Sequence, residues 1–157
     1  MAEPLRVLTF CAVLLGSVSY PAIAYEPAVN YMLQCMGCHA PKGEGEPGRV
    51  PSLRDTLVPF ASIADGRKFL VQVPGAAQST LSDAELAELL NWMIQTLSTA
   101  PPSGTLAHYT AAEVARYRRT PLINVRAMRN RLFAQLSASR GGSAPIRTPP
   151  PPTPDQQ

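Results

Sequence analysis

The stretch "NYMLQCMGCHAPKGEGEPGRVPSL" (residues 30–53) carries two of the chain's three cysteines, Cys35 and Cys38, with His39 directly after the second. Three chemistries use such a pair. It can be a redox dithiol, half of a tetrahedral zinc site, or the two thioether anchors of a haem whose iron takes the histidine. Choosing among them requires the compartment, the supply of other ligands and the flanking elements.

The compartment is read from the first 24 residues. Arg6 precedes the apolar run "VLTFCAVLLGSV", and "PAIA" follows, with Ala22-Ile23-Ala24 matching the small-x-small pattern of a signal peptidase site. The run falls short of the roughly 20 apolar residues that span a bilayer. Residues 1–24 are therefore expected to be a signal peptide, leaving a periplasmic protein with no transmembrane span. Glu3 weakens the basic end of the signal, so an uncleaved anchor stands as the alternative. Cys11 goes with the signal, which leaves Cys35 and Cys38 in a compartment that oxidises free thiol pairs.

In an exported chain, C-x-x-C-H is the attachment signal of c-type haem. Thiols one helical turn apart reach the two vinyl groups on one porphyrin edge, and the next residue lies close enough to bind the iron. Thioether formation also removes both thiols from oxidation. A zinc site needs two further ligands, and beyond His39 only His108 offers a Cys or His in the mature chain. The expected cofactor is one covalently attached haem c, on Cys35 and Cys38, with His39 as the iron's proximal ligand.

Helical patterns surround the motif. Pro27 suits a first helical turn, and Val29, Met32, Leu33 and Met36 recur at helical spacing. "APKGEGEPGRVPSL" is a loop, and "GRKFLVQV" is compatible with helix or strand. "LSDAELAELLNWMIQTLS" opens on a Ser82/Glu85 capping box with Leu81 and Leu86 as a staple, carries the stripe Leu86, Leu89, Leu90, Met93 and Leu97, and stops at "TAPPSG". Two more helices follow, one opened by a Thr110/Glu113 capping box. The other opens at Thr120-Pro121 with the stripe Leu122, Val125, Met128, Leu132 and Leu136. The fold class is all-α. The expected organisation is a signal peptide at 1–24, a haem domain at 25–100, a helical extension at 101–140 and a disordered proline-rich tail at 141–157.

With these features in order, the chain resembles the class I cytochrome c domain over Glu26 to about Ser98. The first helix leads into "CMGCH", a glycine-rich loop follows, Pro51-Ser52-Leu53 matches a Pro-x-Leu segment twelve residues after the histidine, and "LSDAELAELLNWMIQTLS" is similar to the family's last helix. The resemblance implies that the first and last helices cross beside the haem edge. It also implies that the Pro51 carbonyl accepts the N–H of His39, and that Trp92 lines the haem pocket from the position of the family's aromatic residue. Leu33, Leu53, Leu57, Leu89 and Leu90 are core or haem-wall candidates.

The chain departs from the family on the other face of the iron. Electron-carrying members present a methionine in the loop before the last helix, and here "LVQVPGAAQSTLSD" holds none. Met93, His108 and Met128 are the candidate distal ligands, with an open or water-ligated iron as the further outcome. A thioether raises the potential, a second histidine lowers it, and an open site admits exogenous ligands.

The expected function is a monohaem c-type cytochrome that carries single electrons between periplasmic redox partner proteins. No nucleophile or general base stands out, so catalysis is not expected. The alternatives are a haem subunit dedicated to a periplasmic dehydrogenase or oxidase, and an open-site peroxidase or gas-binding protein. The charge is divided: residues 25–100 hold five basic and eight acidic side chains, while residues 101–157 hold eight arginines against Glu113 and Asp155. An acidic partner docking on the arginine-rich extension is one expectation. The other is that the extension folds back on the haem domain. No nucleic-acid partner is expected.

Overall fold

The computed structural model describes residues 25–100, 102, 104 and 106–139. The expected signal peptide, Arg140 and the proline-rich tail lie outside them. Eight helices and no strand occur among the described residues, so the chain is all-α. They are α1 (Pro27–Gln34), α2 (Met36–His39), α3 (Leu57–Ala61), α4 (Ala64–Gln72), α5 (Pro74–Ala77), α6 (Asp83–Thr96), α7 (Ala111–Arg118) and α8 (Val125–Ser139). Among the described residues no helix is long and apolar enough to cross a membrane.

Pro27 occupies the first turn of α1, where its missing N–H leaves no bond unmade. The buried residues of α1 are Asn30 and Tyr31, whereas Met32 and Leu33 are 50% and 59% exposed. This corrects the apolar stripe read from the sequence, and it removes Leu33 from the protein core. The reason is tertiary: the Tyr31 ring lies 5.7 Å from Trp92 on α6, and its hydroxyl donates to the Ala40 carbonyl at 2.6 Å. α1 and α6 pack against each other along this contact.

α6 is built as its sequence predicts. The Ser82 hydroxyl accepts the Glu85 N–H, and the Glu85 carboxylate accepts the Ser82 N–H in return. Leu86, Leu89, Leu90, Met93 and Leu97 are all buried, as is Leu81 before the cap. The ambiguous "GRKFLVQV" segment is helical, within α4. α3 and α4 meet closely at Gly66, where a Cβ would stand 2.2 Å from the Phe60 carbonyl oxygen. The Phe60 and Phe69 rings then pack edge to face at 5.4 Å.

The C-terminal extension folds back and completes this core. Tyr109, Val114, Leu132, Phe133 and Leu136 are buried in one cluster with Tyr31, Phe60 and the α6 stripe. Polar clasps hold it in place. Asn91 exchanges two hydrogen bonds with the Tyr109 backbone, at 3.0 and 2.8 Å. Arg67 donates twice to Glu113, also to the Ala107 and His108 carbonyls, and lies 4.0 Å over the Tyr109 ring. Arg118 donates to the carbonyls of Ala77, Ser79 and Leu81 and pairs with Asp83 at 3.0 Å, tying α7 to the loop that opens α6.

Two expected helix starts differ. The Thr110 hydroxyl caps α7 by accepting the Glu113 N–H, but the Glu113 carboxylate turns to Arg67 instead of closing a capping box. Thr120-Pro121 does not open a helix, because the Thr120 carbonyl and hydroxyl both accept from the Gln72 side-chain amide, and Leu122 donates to the Gln72 carbonyl. α8 begins at Val125 instead, where the Asn124 side chain accepts the Ala127 N–H at 2.9 Å. Replacing Arg118 with alanine is expected to cost about 2 kcal/mol, since buried carbonyls lose a charged donor. The exposed Arg116→Ala control should stay within about 0.5 kcal/mol. Urea denaturation of both variants checks the difference.

Candidate functional site

Cys35 closes α1 and opens α2, and its carbonyl accepts the N–H groups of Cys38 at 3.2 Å and His39 at 2.9 Å. The two cysteines therefore stand one helical turn apart, with His39 closing that turn. Neither is disulfide-bonded; Cys35 is half-buried and Cys38 exposed. Burial, with the neighbouring Cys38 adding to it, pushes the Cys35 thiol up to about 11. Among the described residues no three His, Cys, Asp or Glu side chains converge to hold a metal ion.

His39 is oriented by the loop after it. Its Nδ1 lies 3.1 Å from the Pro51 carbonyl. A carbonyl oxygen only accepts, so Nδ1 carries the proton and Nε2 keeps its lone pair. The loop is tied so as to hold that carbonyl: Gly45 N–H donates to the His39 carbonyl at 2.9 Å, Leu53 N–H to the Gly43 carbonyl at 2.8 Å, and Glu46 and Val50 exchange a pair of bonds at 2.8 Å. Gly45 has φ +70°, and a Cβ there would meet the Val50 oxygen at 2.4 Å and the Pro51 oxygen at 2.7 Å. Only glycine allows the loop to press this close behind the Pro51 carbonyl. Ala40, immediately after His39, also has positive φ (62°, ψ 166°), a conformation costly for a residue with a Cβ. Its carbonyl is the acceptor of the Tyr31 hydroxyl, so the core contact that joins α1 to α6 also holds the exit from the motif.

Burial lowers the His39 pKa; the Pro51 bond works against that shift and the nearby Arg129 guanidinium adds to it. Arg129 stands on α8, in the extension.

The remaining sequence-predicted residues are distributed as follows. Trp92 is half-buried against Tyr31. Leu57, Leu89 and Leu90 are buried, and Leu53 is half-buried beside them. Met93 is buried in the α6 stripe. His108 is exposed, its ring nitrogen 3.4 Å from the Gln95 amide, beside a shallow cavity that Asn91 and Ile94 also line. Met128 is half-buried on α8 at the edge of the core, adjacent to Arg129. Across the loop, a side-chain hydrogen bond joins His39 to Pro51. Sequence reasoning gives no role at the motif to Tyr31, Gly45 or Arg129. Gly45 has a signal in the glycine-rich composition of its loop, whereas Arg129 is one arginine among seven in the extension and has none.

No protein-family model matches the chain, and no curated protein matches it. The site therefore rests on its own geometry.

Gly45→Ala should displace the Pro51 carbonyl and cost at least about 2 kcal/mol, through positive φ and the backbone clash together. Faster exchange of the His39 Nδ1–H in NMR spectra of the variant would report the lost bond directly. The depressed His39 pKa also sets a pH dependence. The neutral ring is favoured in the fold, so this contribution is complete above the ordinary value of 6.5 and is lost as pH falls through the lower folded value. Denaturant titrations of the unmodified polypeptide from pH 7.5 to 5 should show that loss, and His39→Ala should remove this component.

Proposed function

We propose that the chain is a monohaem c-type cytochrome, exported from the cytoplasm, that carries single electrons between redox partner proteins. The observation that carries the reading is the His39–Pro51 hydrogen bond at 3.1 Å, set on a helical turn that spaces Cys35 and Cys38. It leaves Nε2 unprotonated, with its lone pair free to bind, and it raises the basicity of the ring toward a metal. These residues fit a haem. Cys35 and Cys38 would hold it as thioethers, each thiol S–H adding across one vinyl double bond, and His39 would bind its iron through Nε2. The bound group supplies a one-electron Fe(III)/Fe(II) couple.

The chain's own residues do the rest. The Pro51 carbonyl, braced by Gly45, keeps the imidazole at one bearing in both oxidation states, so little reorganisation accompanies transfer. Leu57, Leu89, Leu90 and Met93 are buried in the core and would supply the apolar wall that keeps water from the cofactor. Cys38, Met32 and Leu33 are exposed around the attachment turn, so the cofactor's attached edge would lie near the surface, where a transient partner can approach.

The test is an alkaline pyridine spectrum of the protein purified from an exporting host with haem-attachment machinery. Thioether haem at one equivalent per chain is expected. Cys35→Ala with Cys38→Ala should abolish covalent retention of colour on a denaturing gel, and a colourless wild-type protein would end the proposal.

A further inference from the structure

The connection between α7 and α8 presents an isoleucine to solvent. Ile123 is 102% exposed, against 57%, 50% and 59% for Tyr25, Met32 and Leu33. The loop that carries it is pinned. The side-chain amide of the buried Gln72 donates to the Thr120 carbonyl at 2.7 Å and to its hydroxyl at 2.8 Å. The Leu122 N–H donates to the Gln72 carbonyl at 2.9 Å, and the Leu122 side chain packs against the core. The Asn124 side chain then accepts the Ala127 N–H and starts α8. With Thr120 and Leu122 tied down in this way, Pro121 and Ile123 are left exposed. The isoleucine is held out by a fixed backbone and not by a loose one.

Cations flank this tip. Arg119 ends α7, Arg116 lies one turn before it, and Arg126 is the second residue of α8; all three are exposed. Residues 114–139 contain no Asp or Glu. Glu113 is paired with Arg67, and Asp83 with Arg118. Among the described residues Arg116, Arg119 and Arg126 therefore have no acidic partner.

We propose that the α7–α8 loop is a peripheral attachment site for an anionic lipid bilayer. Ile123 enters the interface, and Arg116, Arg119 and Arg126 meet the headgroup phosphates. The shape of the tip favours lipid over an acidic protein. A protein interface is centred on aromatic or arginine anchors seated in pockets across a broad face. A bilayer takes a single projecting aliphatic side chain without any matching pocket, and its phosphates complement the arginines around it. Residues 25–100 carry the opposite balance, five basic against eight acidic side chains, so the same surface repels them and the attached chain has a preferred orientation. Attachment through one aliphatic side chain and three cations is weak and reversible.

The experiment sediments the full chain, purified from an exporting host, with vesicles of phosphatidylcholine alone or of phosphatidylcholine and phosphatidylglycerol in equal parts. Wild type should sediment with the mixed vesicles, stay in solution with the neutral ones, and be released by salt. Ile123→Ser, which changes no charge, should weaken binding about tenfold, and Ile123→Leu should preserve it. Arg119→Gln and Arg126→Gln should each weaken it about fivefold. Arg131→Gln makes the same charge change at an exposed position that does not share a helix face with Arg126, and its effect should be smaller. All of these side chains are exposed, so the fold is not at stake. Wild type that stays in solution with both vesicle types would overturn the inference, as would binding that Ile123→Ser leaves unchanged. Retention on immobilised polyglutamate, with loss in the arginine variants and none in Ile123→Ser, would assign the loop to an acidic protein instead and overturn the lipid assignment.

Discussion

One hydrogen bond organises this molecule's chemistry: the His39 Nδ1–H donating to the Pro51 carbonyl. An imidazole at the end of a four-residue helix has free rotation about two bonds, and a useful metal ligand needs one orientation and one tautomer. The chain meets that constraint with a loop whose own bonds leave the Pro51 oxygen nowhere else to go. Gly45 is the tightest point, since any side chain there would collide with the oxygens it supports. The Tyr31 hydroxyl secures the other side of the same turn through Ala40. The site is therefore braced from the loop and from the α1–α6 crossing together.

The arginine-rich extension illustrates how composition and placement differ. Eight arginines against two acids read as a basic surface for an acidic partner. In the fold, Arg118 is committed to backbone carbonyls and Asp83, and Arg129 lies over the Phe133 ring. Arg67, from the N-terminal half, reaches the other way to Glu113. Charges that looked like a docking face are in part the fastening between two halves of one core. Arg116, Arg119, Arg126 and Arg131 remain exposed. A partner reading would have to rest on these.

Local signals were legible where a single short-range bond decides the structure. The Ser82/Glu85 box and the stripe from Leu86 to Leu97 describe α6 because both follow from helical geometry alone. The same reasoning failed at Thr110/Glu113 and at Thr120-Pro121, where distant residues compete for the groups that a cap would use. Arg67 draws the Glu113 carboxylate away from the Thr110 backbone, and Gln72 takes Thr120 before a helix can start there. In α1 the apolar periodicity pointed to Met32 and Leu33, but the crossing with α6 selects Tyr31, whose ring and hydroxyl are both satisfied inward.

The sequence by itself determined the all-α class, the C-x-x-C-H turn and the register that puts Pro51 twelve residues after His39, because these depend on spacing along one chain. Tertiary structure alone decided that the extension shares the core, that Tyr31 and not its apolar neighbours faces α6, and which arginines fasten the extension to the core. These choices depend on which residues far apart in sequence compete for one partner, and no local pattern records that competition. The candidates for a second ligand to the proposed iron belong to the same category. Among the sequence candidates Met93 came first, His108 was its alternative and Met128 the weakest. In the fold one lies in the core, one lies on the surface beside Gln95, and one lies on α8 next to Arg129.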